Sequence, residues 1–530
     1  MLRRVKLFTA GLIEYFCSAK CFGSRNKSIA SLLILVTWLA VVIVVSTYHE
    51  VWRDEVRALS TAIEPASFRQ LPAALKYEGH PIVWYLLLRM AFCVMHTPVV
   101  LKIVSICIAF ASIVIFYRHA PFPAWQKILF IWSALPIYEY CIMARNYGIS
   151  MLLFFLFATL YTQRQKKPIL MACVLAIMAN TNVHSCILTG VLAAMWLFDT
   201  VVVDRHLLNT RGVMALISAF VIIGAGIFYS VITVLPSRDT IVVKPFALIA
   251  PEVAQAFYTN IMHPGKHFNI VFPGLPGPMR DVLVLVLAAG LLIRPQAAVS
   301  FFAGVVLLGT FFSTVYPGDL RHQGISVIFM ICLYWIVYQQ ITADTKNKLK
   351  RSLNFIHKLS VYVILSAIFV VHTNFSVYNI IRDISKEESS SKAFGRFITA
   401  NPEYHDAIIM GEPDYALESL PYYVSNRLYM PRERRFGNRV MFTPASKAQM
   451  SLNELLNIAQ QVRSSNGAKV LIAIGHLDLS NQKGYRISYP YKRTFTWSPR
   501  ELAALKSQTT KVAEFKKAVG DENYEIYLLN

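Results

Sequence analysis

The chain has 530 residues, 55% of them hydrophobic and only 15% charged, with a mean hydropathy of +0.46. A soluble domain carries about 25% charged residues, so the composition excludes an ordinary soluble globular protein. The formal charge of +22 would suit nucleic acid, but much of it sits in short breaks between apolar runs, as cytoplasmic loops require. Nucleic acid is therefore set aside as a partner.

In chain order, Met1-Leu-Arg-Arg-Val-Lys is basic and leads into a short apolar stretch. Further positive charge stands where a signal peptide would carry a small-residue cleavage site. Residues 1–28 therefore read as a cytoplasmic amphipathic lead-in. Apolar runs of spanning length follow at 29–48, 99–117, 124–141, 143–161, 168–183, 186–203, 212–234, 281–294, 297–315, 322–342 and 358–380. Basic breaks at 117–127, 164–167, 204–211 and 346–351 are assigned to the cytoplasm. With the N-terminus inside, eleven crossings satisfy these assignments and place 49–98, 235–280 and everything after 381 on the outer side. The stretch 81–96 is shorter and contains Arg89. A full crossing there would break the parity, so it is expected to lie along or dip into the outer interface. The fold class expected is a polytopic α-helical membrane protein of about eleven transmembrane helices plus interfacial helices, with a C-terminal soluble α/β domain.

None of the eight cysteines lies beyond residue 381, which argues against a disulfide-stapled tail. Cys17 and Cys21 have helical spacing but no partner pair for a metal site. The tail, 381–530, shows strand-like runs at 407–410, 470–474 and 525–528. Ser451 with Glu454 forms a capping box ahead of Leu455 and Leu456. Ser498-Pro499-Arg500-Glu501 opens a second helix, expected to run to about Lys517. Gly411-Glu412-Pro413-Asp414 reads first as a domain turn.

Chemistry is sought on the outer side, where the long loops 49–98 and 235–280 lie. Trp52-Arg53-Asp54-Glu55 follows the first crossing. Lys76-Tyr77-Glu78-Gly79-His80-Pro81 then leads into an aromatic, Leu-rich stretch. On charge alone this is a solvated interfacial loop. The pattern resembles the integral-membrane (GT-C type) glycosyltransferases, and among them the protein O-mannosyltransferase and aminoarabinose transferase group; the likeness is best over 29–160.

The resemblance implies a polyprenyl-phosphate-linked sugar as donor and a catalytic carboxylate in the first outer loop. Asp54 matches that acidic position and would deprotonate or orient the attacking acceptor, with Glu55 as a supporting carboxylate. Glu78 and His80 match the place where aminoarabinose transferases have an acidic residue and a lysine before the proline. His80 is a departure from that pattern, and a protonated imidazole could substitute. Asp54, Glu55 and Glu78 could hold Mg or Mn. Acceptor classes consistent with the resemblance are a glycan, a lipid or a protein.

Other candidates come from position. Arg145 and Tyr147 open a helix at its outer end, where Arg145 either meets a phosphate or snorkels to headgroups. Arg321 and His322 stand beside a helix N-terminus, a ready anion site. His184 lies in a tight outer turn, as a local hydrogen-bonder or a site residue. The leading function is a membrane glycosyltransferase of a bacterial inner membrane with a periplasmic tail. A transporter or flippase, or a non-catalytic assembly protein, are the other classes. A transporter would keep its ionisable residues near the bilayer midplane.

Overall fold

The structure is a computed structural model that describes residues 24–207, 209–235, 246–339, 348–443, 445–475, 485–489 and 493–530. Most of the lead-in, with Cys17 and Cys21, lies outside the described residues, as do Arg238, Lys244 and Lys346. By internal contacts the chain divides into two compact units. One is Met1–Val44, Ser105–Val231 and Pro245–Asn379; the other is Val45–Val104, Ile232–Lys244 and Ile380–Asn530.

Among the described residues, seven helices are long and apolar enough to cross a membrane: Ile29–Tyr48, Val100–His119, Val183–Val203, Thr210–Val234, Pro295–Thr314, Leu320–Tyr338 and Arg351–Ser385. The other expected spans form shorter helices, Ala124–Ile131, Tyr147–Leu160, Pro168–Ala179 and Gly277–Gly290. At 1.5 Å per residue the longest of these four reach about 21 Å, against a hydrocarbon core of about 30 Å. Turn-forming residues shorten them. The run expected over 124–141 stops at Ile131 and resumes as a wide-turned helix, Leu135–Ile142, with Pro136 in its first turn. Asn182 starts Val183–Phe198 by accepting the Ser185 N–H at 2.9 Å.

The first unit is built around Leu320–Tyr338, which is buried along nearly its whole length. Its hydrophobicity has no polar face, the mark of a helix surrounded on all sides. Trp335 there joins Phe116, Phe130 and Phe155 in a nest with centroids 4.5–6.0 Å apart, within the range where aromatic pairs attract. Gly324 lets the same helix close on Leu135, whose methyl a β-carbon would strike.

In the second unit, the helix Arg53–Ile63 packs on Val83–Met95. The latter has 13 residues, about 20 Å, too short to cross a bilayer unaided. Arg89 on it is buried and donates to the Ala62 carbonyl at 2.8 Å, at the negative end of the neighbouring helix. Its guanidinium also lies 4.8 Å over the Phe68 ring.

The tail is an α/β domain with a six-stranded sheet in the order β3-β2-β1-β5-β9-β8. These strands are β1 (Ile408–Glu412), β2 (Leu428–Met430), β3 (Arg435–Phe436), β5 (Val470–Ile474), β8 (Thr509–Phe515) and β9 (Tyr524–Leu529). β1 runs parallel to β2 and β5, whereas β9 is antiparallel to both β5 and β8. A smaller sheet joins β4 (Gln449–Ser451), β7 (Arg493–Trp497) and β6 (Tyr485–Tyr489).

Both faces of the main sheet are covered, so its central strands β1 and β5 are apolar up to Glu412 at the end of β1. Ile408, Met410, Val470 and Ile472 face Leu455, Leu456 and Leu502. Ile409 and Leu471 face Phe394 and Ile398. Ser451 caps its helix by accepting the Glu454 N–H, while the Glu454 carboxylate turns to Lys447; Ser498 and Glu501 close a full capping box. The second helix ends at Gln508 rather than near Lys517, and Thr509–Phe515 is strand β8. Thr509, Thr510 and Val512 are β-branched, and pairing along β9 outweighs continuation of the helix.

Candidate functional site

The expected site residues fall into two sets, one in each unit. In the second unit, Trp52 is the N-cap of Arg53–Ile63, and Glu55 reaches back to accept the Trp52 N–H at 3.2 Å. Glu55 is fully buried and also lies 3.1 Å from His49 Nε2, while His49 Nδ1 lies 2.7 Å from Asp383. A ring between two carboxylates needs a proton on each nitrogen. Burial works against that charge, but Glu55 and Asp383 outweigh it and raise the His49 pKa to about 9.

Asp54, beside Glu55, is half-buried in the first helical turn, where the positive end of the helix dipole favours a carboxylate. Arg53 fastens this turn to the tail. Its backbone N–H donates to Glu522 at 2.8 Å, its guanidinium pairs with Asp521, and it lies 5.3 Å over Tyr415.

Glu78 is held by a fork from Arg57 at 2.9 and 3.0 Å and by Arg439 at 2.8 Å. Arg57 reaches on to Glu418 at 2.6 Å, and Arg439 to Glu64 at 2.8 Å. Burial pushes the Glu78 carboxyl up, but its two guanidinium partners outweigh that and hold it below the ordinary value. Glu418 has one such partner and an ionised Glu78 nearby. There burial wins, and its pKa rises to about 7. Gly79 follows at φ +65°, the left-handed region that glycine adopts without strain, and His80 is half-buried beyond it.

In the first unit the structure brings Tyr147, His184 and His322 together. His322 lies 5.3 Å from Tyr147, 5.4 Å from His184 and 5.0 Å from Tyr316, centroid to centroid. The Asp319 N–H donates to His322 Nδ1 at 2.9 Å. A backbone N–H can only donate, so Nδ1 is unprotonated and a neutral His322 carries its proton on Nε2. Arg321 pairs with Asp319 at 3.0 Å, and Tyr140 donates to the Arg321 carbonyl at 2.9 Å. Arg145 is half-buried one residue before Asn146, the N-cap of Tyr147–Leu160.

Among the described residues, no three His, Cys, Asp or Glu side chains group to hold a metal ion. Glu55 and Glu78 turn to protein cations instead. They do not fit a Mg or Mn site with Asp54. The tail carboxylates of Gly411-Glu412-Pro413-Asp414 are also buried and paired, Glu412 with Arg432 and Asp414 with Arg493, each at 2.7 Å.

Sequence reasoning missed His49, Arg57, Asp383, Glu418 and Arg439. Arg57 and His49 left a local signal, Arg57 three residues from Asp54 on one amphipathic helix and His49 six residues before Glu55. The tail partners are some 300 residues or more away and leave no local trace.

No protein-family model matches the chain, and no curated protein matches it. Among solved structures it resembles the crystal structure of ArnT from Cupriavidus metallidurans in the apo state. The likeness covers 96% of this chain and 98% of that one, at a TM-score of 0.50 and 12% identity. At that identity the likeness is one of fold.

Proposed function

We propose that this protein is a membrane glycosyltransferase of the GT-C type. The observation that carries the reading is the end-to-end fold likeness to ArnT, an aminoarabinose transferase. The first-loop pattern of this chain independently resembles the same group. A half-buried carboxylate, Asp54, stands at a helix N-terminus in that loop.

The donor in this reading is a polyprenyl-phosphate-linked sugar drawn from the bilayer. An acceptor oxygen attacks the sugar C1 as the bond from C1 to the phosphate oxygen breaks. The acceptor proton passes to Asp54, and polyprenyl phosphate leaves. Negative charge grows on the departing phosphate and needs fixed donors. Arg145, Arg321 and the Nε2–H of His322 are assigned that role, with Tyr147 and His184 around the His322 ring. Glu55 and Glu78 position the loop that carries Asp54. His80 is assigned to the donor side by its place before Pro81. The reading places the protein in a bacterial inner membrane, with its N-terminus cytoplasmic and its tail domain periplasmic. Its acceptor is a glycan, lipid or protein of the envelope.

The test is transfer from a radiolabelled polyprenyl-phosphate hexose in membranes holding wild type or Asp54→Asn. Label reaching a chloroform-insoluble product in wild type alone is expected. Equal transfer by both would remove Asp54 from the mechanism. No transfer from any lipid-linked sugar by well-folded protein would turn attention to a transporter or flippase.

A further inference from the structure

The alternating charges around Glu78 run from the interior of the second unit to its surface. From Glu418 the sequence of pairs runs to Arg57 at 2.6 Å, Glu78 at 2.9 Å, Arg439 at 2.8 Å and Glu64 at 2.8 Å. It continues to Arg435 at 3.9 Å and Glu433 at 2.8 Å. The Glu418, Glu78 and Arg439 side chains are at most 3% exposed, whereas those of Glu64 and Arg435 are 32% exposed. Those two line an open groove of about 360 Å³, together with Arg439, Gln70, Met441, Pro65 and Ala74.

This volume lies in the lower part of the range of about 300–1,000 Å³ typical of small-molecule sites. The polar groups are fixed from behind. Arg435 is held by Glu433 at 2.9 Å and by the Arg439 carbonyl at 2.6 Å. Gly437 passes close beneath its guanidinium, where a β-carbon would collide. Donors and acceptors held by a second layer of partners are what a recognition site needs.

From this geometry we infer that the groove is a saccharide subsite. Three guanidinium groups, Arg57, Arg435 and Arg439, face four carboxylates, Glu64, Glu78, Glu418 and Glu433. Within this set every guanidinium is matched by a carboxylate, which leaves no surplus positive charge in the set for a phosphate or a free carboxylate. A neutral polyhydroxyl ligand fits better. Glu64 accepts from adjacent hydroxyls while Arg435 and Gln70 donate, and Met441, Pro65 and Ala74 meet the C–H face of the ring. Under the glycosyl-transfer reading, on which this role rests, the bound sugar belongs to the acceptor. Binding itself does not depend on that reading.

The test uses the full chain in detergent and four neutral probes, maltose, lactose, mannobiose and diacetylchitobiose, in saturation-transfer NMR. At least one should bind to wild type and weaken about tenfold in Glu64→Gln and in Gln70→Ala, the cost of losing one hydrogen bond of this kind. Gln70 stands outside the charge chain, so its variant separates lost recognition from lost folding, and thermal unfolding of both checks that they are intact. Inorganic phosphate should not compete. Binding of none of the probes, equal binding by both variants, or displacement by phosphate would overturn the inference. A transfer assay run beside it separates the two readings. Transfer with unchanged acceptor KM and unchanged sugar binding in Glu64→Gln sinks the groove alone. Glu64-dependent binding with no transfer sinks the transferase reading alone.

Discussion

The two units handle polar groups in opposite ways. In the first, the candidate residues are few and are fixed by rings and backbone, as His322 is by Tyr147, Tyr316 and the Asp319 N–H. In the second, carboxylates and guanidinium groups alternate through a continuous network that binds the first loop to the tail domain. The difference follows from surroundings. A membrane-spanning unit pays heavily for each charge, so it keeps few and holds them in isolated pairs, as Arg321 with Asp319 and Arg294 with Asp199. The second unit, made mostly of the first loop and the tail, accumulates ion pairs, but each buried charge then depends on its partner. Loss of a residue from the network should therefore cost stability, and loss of a residue meeting substrate should cost turnover.

Asp54 and Arg57, three residues apart on one helix, test that division most severely. Asp54→Asn should lower transfer by about 10²- to 10⁴-fold, the usual worth of a general base. Its effect on the unfolding temperature should be smaller, because asparagine keeps the size and hydrogen-bonding capacity of this half-buried side chain. Arg57→Met should do the reverse in kind. It leaves Glu78 and Glu418 short of a buried partner, a loss of about 3–5 kcal/mol that thermal unfolding in detergent would register as a marked fall. If Asp54→Asn unfolded the protein as readily as Arg57→Met, the distinction between site and scaffold in this unit would fail.

How far the sequence alone reaches follows the same line. Helices and strands of the core are written in local pattern, so the apolar runs, the Ser451 and Ser498 caps and the strand 470–474 are legible. Pairing across long separations is not. Glu55 and Glu78 look like a site's carboxylates because Asp54 stands beside one and His80 beside the other. Their partners His49, Asp383, Arg57 and Arg439 turn them to holding the loop in place, and no window of sequence contains both ends of those contacts except at His49 and Arg57. Strand β8 was hidden for a related reason. Its seven residues follow a well-capped helix without a breaker, and only the β9 partner decides their state.

His49 sharpens the comparison by pH. Its folded pKa, about 9, lies above the ordinary value near 6.5, so its contribution is fully present below about pH 6.5 and is lost as pH rises through about 9. At about 1.4 kcal/mol per pH unit the loss amounts to at most about 3 kcal/mol. Wild-type unfolding temperature should fall over this window. His49→Gln should be less stable at pH 6 and flatter above it. An identical slope in both proteins would show that the Glu55–His49–Asp383 contact does not hold the loop.

The smallest effect is expected in the first unit, where His322 combines two tasks that substitution can separate. Its Nδ1 accepts the Asp319 N–H at the start of Leu320–Tyr338, a cap worth about 1 kcal/mol. His322→Phe keeps a ring against Tyr147 and Tyr316 but loses the cap, and should unfold slightly earlier. His322→Gln can restore the cap, since a glutamine at this position completes a capping box with Asp319, and should return stability to nearly the wild-type level. Neither variant carries the imidazole Nε2–H. If that hydrogen meets the donor phosphate, both should raise the donor KM while only the phenylalanine variant loses stability. A glutamine variant with normal stability and normal KM would leave His322 as a cap alone, and the phosphate role would pass to Arg145 and Arg321.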